Sequence, residues 1–229
     1  MRIALFTSNH LRHTYIATQL HEQLDLAIII TEEKSKKIED SSAYNAEDQQ
    51  LLDAHFQDRA AAEEAFFGEY THFPKEVPHI AMAFGKINSQ ETIANLEAHK
   101  IDYILLFGTS IIKDVILEKY PNKVINLHLG LSPYYKGSGT NFFPIVNNEF
   151  ACIGATIHLA TRKVDAGGIL HQLRLEELYE EDTIHTIGNR LIQKAGLAYP
   201  AIVKGFLEGG IQPVQQKEIA EKSKQGLEK

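Results

Sequence analysis

The sequence predicts an α/β fold, a mostly parallel twisted sheet with flanking helices. Three observations predict it. Short apolar, β-branched runs alternate with amphipathic stretches, and that alternation builds a parallel sheet with helical crossovers. A content of 44% hydrophobic and 23% charged residues is ordinary for a soluble globular domain. A length of 229 residues is ample to bury a core.

The elements follow in order. Ile3 to Thr7 reads as a buried strand, a turn at Ser8-Asn9-His10 leads into a helix to about Gln23, and Leu26 to Thr31 is a second strand. Residues 32–75 break this rhythm. Leu51, Leu52, His55, Phe56, Arg59, Ala62 and Phe66 fall at helical spacing, as one long helix or two shorter ones. Such a helix either covers the sheet, the plainer reading, or frames a binding pocket. Ile80 to Phe84 is a third strand. Ser89 is placed to cap a helix running to about His99. Asp102 to Phe107 is a fourth strand, Ser110 to Tyr120 a helix, and Lys123 to His128 a fifth, central strand. A short helix is expected over 140–146, then strands over 153–159 and 168–175. A helical region over 181–208 has Pro200 as its expected break.

Composition narrows the function. The net charge of −7 excludes a general polyanion-binding surface, though not a local basic pocket. The single cysteine, Cys152, allows neither an intramolecular disulfide nor a Cys-rich zinc pattern. No run approaches the roughly 18 apolar residues needed to span a membrane, and the first residues read as a strand, not a signal peptide. A cytoplasmic protein without membrane or nucleic-acid partners is the expectation.

Chemistry concentrates in two places. Asn126 and His128 are two apart on the fifth strand, so they project from one face. Asn offers a donor for a developing oxyanion, and His a proton acceptor or donor near neutral pH. Twenty-eight residues after Gly137, Asp165 opens an Asp-Ala-Gly-Gly loop and could orient the histidine or carry a proton. Each piece alone is also ordinary turn chemistry. Together they resemble an acyl-transfer site without a covalent nucleophile.

Asn126-Leu-His128, Ser132-Pro-Tyr-Tyr-Lys-Gly137, Gly154-Ala-Thr-Ile-His158 and Val164-Asp-Ala-Gly-Gly-Ile-Leu170 resemble, in this order, the catalytic domain of folate-dependent formyltransferases. The layout is closest to the nucleotide-sugar N-formyltransferases. The resemblance runs from the first strand to about residue 210, with 32–75 divergent. It implies a Rossmann-like formyltransferase fold over residues 1–210, followed by a tail over 211–229. It further implies Asn126, His128 and Asp165 as the catalytic triad, 10-formyltetrahydrofolate as formyl donor, no metal, and a homodimer as the family-based expectation. The donor would lie along Phe107, Gly108, Thr109, Ser110, Ile111 and Ile112, with Ala160 and Val164 on the other wall. His158 would support the triad.

Three departures bear on the acceptor. Leu129-Gly130 stands where Pro-Ser is frequent in the family. The first turn lacks the Gly-rich phosphate cradle of glycinamide ribonucleotide formyltransferases. The chain ends near the catalytic domain, without the second domain of methionyl-tRNA formyltransferases. The expected acceptor is therefore a small molecule, the amine of a nucleotide-linked amino sugar of the kind used in surface polysaccharides. Asn9, Arg12, His13 and Lys136 are candidates to meet its diphosphate side, and Tyr134, Tyr135 and Phe142 its apolar wall. The competing readings are glycinamide ribonucleotide formylation, formyltetrahydrofolate hydrolysis, and a non-catalytic folate- or nucleotide-binding module.

Overall fold

The computed structural model describes residues 1–35 and 45–217. Its centre is one seven-stranded sheet: β1 (Ile3–Thr7), β2 (Leu26–Glu32), β3 (His79–Met82), β4 (Tyr103–Phe107), β5 (Val124–His128), β6 (Gly154–Leu159) and β7 (Ile169–Arg174). The spatial order is β3-β2-β1-β4-β5-β6-β7. β1 through β5 pair in parallel, and β5–β6 and β6–β7 are antiparallel. As expected, the 123–128 run is an interior strand.

The period-two alternation of each strand sorts its side chains into two cores. Ile3, Leu5, Ile29, Leu105, Ile125 and Leu127 face helices α1 (Leu11–His21) and α6 (Ile184–Leu207). Ala4, Phe6, Ile28, Ile30, Ile104, Leu106 and Val124 face the opposite side, with α3 (Gln90–Ala98). Ser89 caps α3 by accepting from the Thr92 N–H, as its sequence position predicts.

The structure corrects four readings. The expected helix over 110–120 shrinks to α4 (Asp114–Leu117). Asn88 is the cause: its amide donates to the Ile111 carbonyl (3.0 Å) and its Oδ1 accepts from the Lys113 N–H (2.7 Å), holding this stretch out of the helix. Ile111 is left 65% exposed. The helix expected over 140–146 covers only α5 (Phe143–Val146), after a turn at Gly139 with φ +68°.

Pro200 does not end α6, whose 24 residues run through it. A proline inside a helix costs about 3 kcal/mol, but Ala195, Gly196, Tyr199 and Val203 are buried around it. A Cβ on Gly196 would stand 2.5 Å from the Tyr15 ring, so α1 and α6 are in direct contact here. That burial holds the helix together.

The 46–67 stripe forms one helix, α2 (Ala46–Phe67), but it does not cover the sheet. It rides outside α1 and α6, with Glu63 and Phe67 as its buried residues. Its Asn45 cap accepts from the Glu47 and Asp48 N–H groups. The 211–229 tail is described only as far as residue 217, where Val214 forms a bridge to Ile169 on the β7 edge.

Candidate active site

Ile125 and Leu127 belong to one core, which turns Asn126 and His128 to the opposite face. Across the antiparallel pairing, Asn126 stands opposite His158 and His128 opposite Thr156. The loop between β6 and β7 then folds Asp165 over this row. Asp165 takes a left-handed backbone, φ +48°, which Asp tolerates better than most residues. Its carbonyl accepts from the Ser132 hydroxyl (3.3 Å) and from Gln216 (3.0 Å), and Gln216 also holds the Gly167 carbonyl (2.7 Å).

The Asp165 carboxylate gathers the site. Oδ1 accepts from Asn126 Nδ2 (3.2 Å) and faces His158 Nε2 (3.3 Å). Oδ2 accepts from the Gly137 N–H (2.9 Å) and faces His128 Nδ1 (3.4 Å). Burial would raise its pKa, but His158, His128 and the Gly137 N–H hold it below the usual carboxylate value.

The carbonyl partners identify the histidine tautomers. His128 Nε2 lies 3.0 Å from the Tyr135 carbonyl, which can only accept, so Nε2 carries the proton. In the neutral ring Nδ1 is a lone pair directed at Asp165. Burial pulls the His128 pKa below its ordinary value, opposed by Asp165 and the Tyr135 carbonyl. His128 is thus a neutral base whose protonated form has a carboxylate waiting. His158 Nδ1 donates to the Leu159 carbonyl (2.8 Å). Its Nε2 accepts from the Asn126 amide (3.2 Å) and faces Asp165 Oδ1 (3.3 Å). Behind His128, a Cβ on Gly130 would strike His128 Nε2 and come within 2.6 Å of Thr140 Cβ. Glycine at position 130 is therefore a packing requirement of this loop.

These groups open onto a cleft of about 1040 Å³. All eight expected donor-wall residues line it: Phe107, Gly108, Thr109, Ser110, Ile111, Ile112, Ala160 and Val164. Thr109 Oγ1 is buried there without a hydrogen-bond partner, and Ile111 and Val164 expose apolar surface. A flat heteroaromatic ring with a polar edge fits that wall.

The expected acceptor contacts divide. Arg12, His13 and Lys136 line the cleft; Asn9, Tyr134, Tyr135 and Phe142 do not. Tyr135 is fully buried, its hydroxyl donating to Glu149 (2.6 Å) and accepting from Asn147 (3.1 Å). Phe142 stacks edge-on against Phe143. His13 cannot donate to a phosphate in this arrangement. The Thr7 hydroxyl spends its proton on the Phe107 carbonyl (2.8 Å), so it accepts from His13 Nδ1 (2.7 Å). Burial, Arg12, Lys34 and His10 push the His13 pKa well down, leaving Nε2 a lone pair.

Sequence reasoning missed Lys34, Arg59, Asn88 and Lys113, which also line the cleft. Arg59 was visible on a helical stripe, but nothing local shows that α2 reaches the mouth of the sheet.

Comparison with known proteins decides the family. A family model described as formyl transferase matches residues 1–203. The chain belongs to the formyl transferase family. A phosphoribosylglycinamide formyltransferase of Bacillus subtilis (strain 168) is 31% identical over 123 residues, covering 52% of this chain and 60% of that protein. The chain thus matches somewhat over half the length of this relative. A solved phosphoribosylglycinamide formyltransferase from Anaplasma phagocytophilum shares the fold, with TM-score 0.65 at 19% identity over 95% of this chain and 96% of that one. A sugar N-formyltransferase from Shewanella sp FDAARGOS_354 does so with TM-score 0.62 at 16% identity over 96% and 75%. No helix among the described residues is long and apolar enough to cross a membrane.

Proposed function

We propose that this formyl transferase moves a formyl group from 10-formyltetrahydrofolate to the primary amine of a nucleotide-linked amino sugar. The convergence of Asn126, His128 and His158 on the Asp165 carboxylate, inside one cleft, carries the reading. The donor supplies the formyl carbon: a bond forms from the acceptor nitrogen, the bond to folate N10 breaks, and one proton passes from the amine to N10.

The residues of this chain divide that work. Asn126 turns an amide N–H from its contact with His158 to the formyl oxygen as negative charge develops there. His128 takes the proton of the attacking amine on Nδ1, directly or through one water. The Tyr135 carbonyl holds the ring in the tautomer that leaves Nδ1 unprotonated, and Asp165, facing Nδ1, stabilises the imidazolium that results. His128 Nε2–H is spent on the Tyr135 carbonyl while Nδ1 keeps its lone pair, which favours proton transfer for His128 and the oxyanion for Asn126.

The first turn supports the sugar acceptor. Residues 7–14 contain no glycine, so no bare backbone loop wraps a ribonucleotide phosphate. The second reading is glycinamide ribonucleotide formylation, favoured by the similarity to the phosphoribosylglycinamide formyltransferase of Bacillus subtilis. Release of tetrahydrofolate, measured without acceptor, with glycinamide ribonucleotide and with a panel of nucleotide-linked amino sugars, separates the readings. Turnover is expected with a member of the panel. Turnover of glycinamide ribonucleotide alone installs the second reading, and release without acceptor makes the protein a hydrolase.

A further inference from the structure

The start of helix α1 is where an open α/β sheet commonly receives an anion, because unpaired N–H groups and the positive end of the helix dipole meet there. In this chain that place is taken. Glu63, reaching across from α2, accepts the Arg12 N–H on Oε1 (3.0 Å) and pairs with the Arg12 guanidinium on Oε2. Glu63 is buried, and His10, the residue preceding the helix, supplies no side-chain cap of its own. An internal carboxylate therefore neutralises both the helix terminus and its nearest cation.

One turn earlier on the same face of α2 stands Arg59. It lines the cleft and has no hydrogen bond or ion pair among the described residues. Lys34, just past β2, lines the cleft beside it and donates to the Gly108 carbonyl, at the exit of β4. Phe107 pairs with Leu127, so Gly108 stands beside the end of β5 and the catalytic row. The local charge is unbalanced. The described cleft lining contains five Lys or Arg residues (Arg12, Lys34, Arg59, Lys113, Lys136) and one carboxylate, Asp165, in a chain of net charge −7. Lys34 registers the imbalance: burial and then Arg12, with Arg59 further on, push its ammonium down to about 8 against the opposing pull of Glu32.

We propose that Lys34 and Arg59 hold the phosphoryl group of the acceptor, and that Glu63 occupies the α1 terminus so that no phosphate binds there. The first half rests on the reading of the acceptor as a nucleotide-linked amine. Glu63 is then a specificity-determining residue: it excludes a phosphate from the end of β1 and displaces the anion subsite toward α2. Arg12 is a positioning residue, fixed by Glu63 as the back wall of that subsite.

Titration calorimetry with inorganic pyrophosphate tests this on the whole protein without turnover. The wild-type protein is expected to bind it, and Arg59→Gln and Lys34→Gln each to weaken binding by about tenfold or more, the loss of one charged hydrogen bond. Glu63→Gln, which removes the resident charge, is expected to tighten it. Binding no tighter in Glu63→Gln overturns the exclusion by Glu63, with Glu63→Ala as the second variant should the first fail to fold; Arg59→Gln decides the subsite itself, since Arg59 lies outside the core. No binding to the wild type, or binding indifferent to both Arg59 and Lys34, overturns the proposal. A non-reactive folate analogue should bind Arg59→Gln as it binds wild type; a loss there would assign Arg59 to the donor and overturn the acceptor role. A failure of every amino sugar to be formylated would remove the proposed acceptor, while pyrophosphate binding lost in Arg59→Gln and Lys34→Gln would still establish the anion subsite.

Discussion

At the β5–β6 end of the cleft, position is set by main chain. Asn126 and His158 face each other because their strands are hydrogen-bonded in register, and carbonyls of Tyr135 and Leu159 orient the two imidazoles. At the α2 end, position is set by charge. Arg12 is held by a carboxylate 51 residues away in sequence, and Arg59 and Lys34 stand on segments that share no strand pairing. The first end is rigid and chemically specified. The second can change its ligand by exchanging a few side chains without touching the sheet. A shared reaction and a variable acceptor are what such a division allows.

The comparison breaks most visibly at Asp165. Asp165→Asn should lower kcat by about 10²- to 10⁴-fold, the usual weight of the positioned proton transfer that Asp165 supports at His128, with folate-analogue binding retained. The pH profile sharpens the assignment. Neutral His128 is the working form, so kcat/KM should fall on the acid side with a midpoint below the ordinary histidine value, because burial outweighs Asp165. Removing the Asp165 charge removes a contribution that raises the His128 pKa, so the residual activity of the variant should hold to still lower pH. An acid limb that stays in place would detach Asp165 from His128.

Gly130→Ala should have the intermediate effect. Its methyl group would push into His128 and Thr140, costing about 1–3 kcal/mol as overpacking does and displacing the ring from Asp165. Thermal melting measures the first consequence and kcat the second; a variant with both unchanged would show that the loop yields freely. The smallest effect belongs to Tyr134→Ala and Phe142→Ala. Neither residue lines the cleft, and acceptor KM should move by less than about twofold, the scale of an ordinary surface substitution. A large rise in KM for either would return the aromatic wall to the acceptor site.

How much of this was legible in the sequence follows the same division. β5 could be read because Val124, Ile125 and Leu127 make a short apolar run with its two polar residues, Asn126 and His128, two apart, and a strand obeys its own local pattern. The convergence of Asn126, His128 and Asp165 was implied by the resemblance of their ordered motifs to a known family, and the structure brings the three side chains together. The 110–120 stretch was misread because Asn88, more than twenty residues away, captures its backbone. Pro200 was misread because burial of its neighbours, invisible locally, outweighs a local cost. Tyr135 was expected in the acceptor wall; its hydroxyl partners, Glu149 and Asn147, are set by the fold of the following loop. The Arg12–Glu63 pair joins two helices with no pairing rule between them, so no spacing in the sequence announces it.

The alternation of β5 and β6 also has a consequence for the far side of the sheet. Ile125, Leu127, Ala155, Ile157 and Leu159 lie buried beneath α6, with the Tyr199 hydroxyl donating to the Ile125 carbonyl at 2.9 Å. A slip of one residue between these strands would swap every side chain to the other face. The hydrocarbon on one surface therefore acts as the index marks of a ruler, and the reading is taken on the other surface, where Asn126 meets His158. Repacking that far layer is a way to detune the chemistry without touching a polar atom.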